Sequence, residues 1–237
     1  MDNLQSPFAQ QYQSPMAVQN MVAAAMKRVY LNMFLGLLVT AFVSMACANS
    51  IAYLEFILLN RWAMIGLIIA EFGLVIGISS GINRLSSAVA MLLFFLFAAV
   101  NGLMLAPIFL VYTGASIAKT FFITAGTFGA MSIYGYTTGT DLSKFSRILM
   151  MALIGLIIAT VVNMFMHSES FDYIISFVGI ILFVGLTAWD TQKIKQMAVG
   201  MPGDQIGRLA TIGALSLYLD FINLFLYLLR FFGDRRD

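Results

Sequence analysis

Seven stretches of this chain are apolar for about the length that a helix needs to cross a bilayer, and no other feature constrains the fold as strongly. A hydrocarbon core is about 30 Å thick, so a spanning helix takes roughly 20 apolar residues. Runs of this kind occupy residues 29–54, 62–82, 86–112, 117–137, 146–166, 171–191 and 209–231 of 237. In lipid every backbone N–H and C=O must be paired internally, which leaves helices or a closed barrel. Continuous apolar runs, rather than short alternating ones, select helices. The expected fold is an all-α polytopic membrane protein with seven transmembrane helices. The connections are short, so consecutive helices should be antiparallel neighbours in a single domain over 21–237. A polar, Gln-rich tail over 1–20 precedes it and is expected to be disordered.

The charge content supports this. Only 10% of residues are charged and 61% are hydrophobic, against about 25% charged in a soluble domain. The expected surroundings are therefore a lipid bilayer. The net charge of +2 gives no footprint for a nucleic-acid partner. Cys47 is the only cysteine, which rules out an intrachain disulfide and argues against a thiolate metal site. Residues 1–20 lack a basic region followed by a short apolar core, so they do not read as a cleaved signal. Targeting then falls to the first membrane helix.

Orientation follows from lysine and arginine in short loops. With the N-terminus in the cytoplasm, the inner segments hold Lys27, Arg28, Arg84, Lys144, Arg147, Lys193, Lys195 and Arg208. The outer segments hold Arg61, Lys119, Arg230, Arg235 and Arg236. Three of these five outer cations crowd the extreme C-terminus, which conflicts with the rule. Either seven crossings put that tail outside, or the last segment re-enters. The length of 209–231 favours seven crossings.

Small and polar residues recur at helical spacing: Asn32, Gly36, Thr40 and Ser44 in the first run, and Gly155, Ala159 and Asn163 in the fifth. Such stripes read as close helix packing. Asn101 and Gly102 lie in the third run, where Pro107 should kink the helix. Three carboxylates stand apart: Glu71, Asp190 and Asp220. A carboxylate at mid-membrane costs at least ~2.5–3.5 kcal/mol on insertion scales. The bundle must offset that by a partner, water or a proton. In the last run Gly213, Ser216, Asp220, Asn223 and Tyr227 form one polar stripe, which should face the bundle interior.

Asp190 and Asp220 are equidistant from position 205, inside the turn-like "GMPGDQIG" of Gly200 to Gly207. Two antiparallel helices joined there would bring them to similar depth. Two adjacent carboxylates cannot both ionise cheaply, so such a pair shares a proton. On spacing alone a second reading stands beside this one, in which Asp190 closes its helix and bonds Lys193 or water.

"GLTAWDTQKIK" and "ALSLYLDFINLFLYLLRFFG" resemble the last two helices of the Bax inhibitor-1 family, also called the transmembrane Bax-inhibitor-motif family. "AMSIYGYTTGTDLS", Ala130 to Ser143, extends the likeness. It covers essentially the whole chain after residue 20 and is strongest with the bacterial inner-membrane branch. The resemblance implies a central C-terminal helix surrounded by six others. It also implies a pH-sensitive calcium leak in which aspartates of helices six and seven share a proton, here Asp190 and Asp220. Two positions depart from the family pattern. The aromatic before the helix-six aspartate is commonly Tyr and is Trp189 here. The arginine that can latch the pair aligns with Ile82, and the nearest one, Arg84, is about half a turn late.

The expected function is a cation leak, with calcium bound only in passage and no resident cofactor. Calcium prefers several oxygen ligands. Asp190 and Asp220 would supply them, with Asn223, Ser216 and Thr187 as neutral oxygens and Glu71 along the route. A one-proton pair would tie the two helices together and hold the path shut. The competing function is an interaction protein that modulates a membrane protease or a stress or cell-death response, with the N-terminal tail engaging the partner. An enzyme is not expected. The Gly-x-Gly-Asp motif of intramembrane aspartyl proteases is absent at Asp220, and His167, the one histidine, falls in a predicted outer loop.

Overall fold

The computed structural model describes residues 15–82, 84–199, 201 and 205–236. Among them the chain forms α1 (Pro15–Ala48), α2 (Ile51–Leu59), α3 (Arg61–Gly81), α4 (Ser87–Leu105), α5 (Ile108–Val111) and α6 (Gly114–Thr137). A 3-10 turn (Leu142–Phe145) leads into α7 (Ser146–Met166), α8 (Glu169–Ala198) and α9 (Ile206–Phe232). Met1 to Ser14 of the expected polar tail, and Gly200 and Pro202 to Asp204 of the turn, lie outside the described residues.

Helix ends follow local chemistry. α1 opens on Pro15, whose missing N–H costs nothing at a helix start. Residues 15–20 are thus the first turns of α1, which corrects their assignment to a disordered tail. The first apolar run is two helices rather than one. Ser50 caps α2 by accepting from Tyr53 N–H at 3.3 Å. Asn60 caps α3 by accepting from the N–H groups of Trp62 and Ala63. Pro107 breaks the third run, and α4 ends at Leu105 before the short α5.

Among the described residues, six units are long and apolar enough to cross a membrane: α1, α3, α4 with α5, the 3-10 turn with α7, α8 and α9. The fourth predicted run, 117–137, lies within α6. That helix has 24 residues but carries Lys119 as well as many Ser, Thr and Gly residues, and it is not in this group. Those polar residues face inward: Ser116, Thr120, Thr124 and Ser132 are buried, while Phe122 and Ile133 are exposed.

The centre of the bundle is α9. It packs on α8, α1, α6 and α4, and the buried residues along it include Leu209, Leu217, Leu224 and Leu228. Its last turn is held by an ion pair, Arg230 Nη1 to Asp172 Oδ1 at 3.1 Å, near the start of α8. α9 runs unbroken from Ile206 to Phe232, without the break at which a re-entrant segment would turn back. Beyond it, the tail pairs with the α5–α6 connection. Thr113 N–H donates to Asp234 O at 3.2 Å and Arg236 N–H to Val111 O at 2.9 Å. Asp234 N–H donates to Ser116 Oγ at 2.9 Å.

α6 and α8 meet with almost no side chain between them, because a Cβ on Gly135 would collide with the Ala188 backbone. Gly135→Ala should therefore force the helices apart and cost about 1–3 kcal/mol. Gly126→Ala, where a Cβ meets nothing within 4 Å, should stay within about 0.5 kcal/mol. Unfolding of the two variants in detergent checks the contrast.

Candidate functional site

The register of α8 against α9 is fixed on both sides of the aspartates. Toward the end with the ion pair, Phe183 and Tyr227 stack at 5.8 Å between ring centroids, and the Tyr227 ring lies over Gly179. Toward the α8–α9 connection, a Cβ on Gly213 would sit 3.2 Å from Ile194 Cγ2. Asp190 lies two turns beyond Phe183 and Asp220 two turns before Tyr227, so each shares its helix face with one ring of that stack. Antiparallel helices in this register place the two carboxyls at similar depth, and the charge of Asp190 acts on Asp220.

Asp220 is 4% exposed, and its Oδ2 has no hydrogen-bond partner among the described residues. A buried carboxyl oxygen left unpaired is costly and calls for a proton, a water or an ion. Asp190 is only part-buried. It does not close its helix, because α8 continues to Ala198. The charge of Lys193 acts on both carboxyls. Its Nζ lies 4.8 Å from the ring centroid of Trp189, which holds the ammonium at the rim beside the pair.

The remaining sequence candidates divide. Thr187 is fully buried one turn before Asp190, and its hydroxyl donates to Phe183 O at 2.7 Å. Asn223 donates through Nδ2 to Leu219 O at 2.8 Å, which leaves Oδ1 as an acceptor one turn beyond Asp220. Ser216 is part-buried one turn before Asp220. These three therefore sit on the helix faces that carry the pair. Arg84 is exposed in the α3–α4 turn, where its N–H donates to Gly81 O at 2.8 Å. Among the described residues, no three His, Cys, Asp or Glu side chains gather as a metal centre would need.

Glu71 belongs to a second polar cluster. Asn101 Nδ2 donates to Glu71 Oε1 at 2.7 Å. Tyr218 O–H reaches Asn101 Oδ1 at 3.1 Å, and the same phenol oxygen lies 2.6 Å from Thr40 Oγ1. Thr40 in turn donates within reach of Ala98 O at 2.8 Å. The chain of contacts joins α3, α4, α9 and α1. Sequence reading noted Glu71, Asn101 and Thr40 separately and missed Tyr218. The available signal was the phenol itself, since a tyrosine at mid-span needs a partner for its hydroxyl.

Tyr218 also packs edge-on to Phe94 and Phe97, at 5.8 and 5.5 Å. Tyr218→Phe keeps those contacts but removes the donor to Asn101 Oδ1 and the hydroxyl beside Thr40 Oγ1. It should cost about 1–3 kcal/mol in thermal unfolding. Tyr218→Leu should cost more, because the ring contacts go as well.

Comparison with known proteins bears on the whole chain. A family model described as "Inhibitor of apoptosis-promoting Bax1" matches residues 22–237. The inner membrane protein YbhL of Escherichia coli K12 is 52% identical over 219 residues, which is 89% of this chain and 92% of that protein. An uncharacterised protein of Borreliella burgdorferi is 46% identical over 89% of this chain and 91% of its own length. A protein of Rickettsia prowazekii, RP147, is 43% identical over 90% of each. With a family match across nearly all of the helical bundle, the chain belongs to the Bax inhibitor-1 family of membrane proteins.

Proposed function

We propose that this protein is a pH-sensitive cation leak, with calcium as the cargo, gated by a proton shared between Asp190 and Asp220. One observation carries the reading: a buried, unpartnered carboxyl oxygen on Asp220, on a helix whose register against α8 brings Asp190 opposite. With one proton between them, the two carboxyls form a charge-assisted hydrogen bond that ties α8 to α9. Removing the proton replaces that bond with repulsion and leaves two carboxylates that attract a cation. Thr187, Asn223 and Ser216 add neutral oxygens around the carboxylates, in keeping with a hard cation's demand for several oxygen ligands.

The same reading has seven helices crossing the membrane, with α6 as the seventh. Its inward Ser and Thr and outward Phe122 and Ile133 suit a helix that shows lipid its apolar side. The docking of the C-terminal tail on the α5–α6 connection is consistent with an odd number of crossings. Likeness to an inner membrane protein of Escherichia coli supports an inner-membrane location, and the lysine and arginine count supports a cytoplasmic N-terminus.

Calcium entry into liposomes, followed across a pH series, tests the gate. Flux through the native protein should rise with pH, because the closed state depends on the shared proton. A hydrogen bond to a charged group is worth about 1.5–3 kcal/mol, so the closed-to-open ratio should change by about tenfold or more. Asp190→Asn and Asp220→Asn each replace the shared proton with an amide hydrogen that pH does not remove. Both should flatten the response. Unaltered flux with an unaltered pH response in both variants would refute the gate.

A further inference from the structure

Outside the aspartate pair, the bundle has an opening on its side. α1 and α6 diverge around a groove of about 500 Å³ lined by Met26 and Tyr30 of α1 and by Phe128, Gly129, Ser132 and Tyr136 of α6. Eight residues of α6 separate Phe128 from Tyr136, about 12 Å of helix. Its walls are mostly apolar, yet it contains one unsatisfied polar atom. Ser132 is 5% exposed, and its Oγ has no hydrogen-bond partner among the described residues. A hydroxyl at such a position needs an acceptor.

Lysines stand at the Tyr136 end of the groove and along its α1 wall. Lys195 Nζ donates to Tyr136 O at 2.7 Å and lies 4.8 Å from the centroid of that ring. Lys27 is exposed on α1. It stands four residues after Ala23 and three before Tyr30, both of which line the groove, so it shares their helix face. Moving from this end, Ser132 comes one helical turn deeper and Phe128 one turn deeper again. Positive charge, then a lone hydroxyl, then apolar walls match a phosphate, an ester carbonyl and an acyl chain in that order.

We propose that the α1–α6 groove binds an anionic membrane phospholipid. Its phosphate lies between Lys27 and Lys195, an ester carbonyl accepts from Ser132 O–H, and one acyl chain runs past Gly129 toward Phe128. A basic end on an intramembrane groove is a known chemistry for lipid head groups. Gly129 keeps the floor open, since a Cβ there would meet nothing within 4 Å.

Native mass spectrometry of the full chain, delipidated in detergent, tests the site. The probes are phosphatidylglycerol and phosphatidylcholine with identical acyl chains. The native protein should retain phosphatidylglycerol over phosphatidylcholine by about fivefold or more, the factor expected from one lysine at a membrane surface. Gly129→Phe should lower phosphatidylglycerol retention by a similar factor without changing thermal unfolding. Lys27→Gln should bring the two lipids closer to equal retention. Equal retention of both lipids by the native protein overturns the proposal, as does full retention of phosphatidylglycerol by folded Gly129→Phe. Should Gly129→Phe fail to fold, Lys27→Gln decides, and an unchanged lipid preference in that variant overturns the site.

Discussion

The hydrocarbon interior offers no water to a polar group, and this one shortage organises the bundle. Asp220, Tyr218, Thr40, Thr187 and Thr124 would each be costly against lipid. All five are buried between helices instead. The apolar side chains point the other way, as Phe42, Phe122 and Phe165 do on the outer surface. Helices in lipid gain nothing from hiding apolar surface from one another. Their positions are set by close packing and by the need to bring polar groups together. α9 carries Tyr218 and Asp220, which accounts for its place at the centre.

Those two residues are two positions apart, and two positions turn a helix by about 200°. Tyr218 faces α1 and α4, where Thr40 and Asn101 receive it. Asp220 faces α8. The central helix is therefore held through polar contacts on nearly opposite sides. One side is a hydrogen-bonded cluster reaching Glu71 on α3. The other is a carboxyl pair with an oxygen left unpaired.

Much of this was legible in the sequence, and what was hidden has definite causes. The run 146–166 is α7 to the residue, because polar residues bracket it. The last run grows by only a few residues. The sixth was cut short at 191, because Lys193 and Lys195 read as charges at a membrane edge. In the structure α8 continues through both, and their ammonium groups rest on Trp189 and Tyr136, as long basic side chains can. Turn arithmetic puts Asp190 and Asp220 at similar depth but leaves open a reading in which Asp190 closes its helix, and α8 running on to Ala198 removes that closure. The polar stripe of α9 also held, with Gly213 against Ile194 and Tyr227 over Gly179. The Tyr218 cluster escaped because its members lie on four helices far apart in the chain. No single helix shows a stripe that announces it.

The central position of α9 has a consequence for biogenesis. It follows every other described helix in the chain, so it leaves the ribosome after them. Until it arrives, Asn101 and Thr40 lack the Tyr218 hydroxyl, and α8 lacks the helix against which it packs most. The nascent bundle is then a ring of inserted segments with its axle missing. Final assembly of this protein belongs to the moments after translation reaches α9, and a chain stalled before that point would present the membrane with an unfilled polar seam.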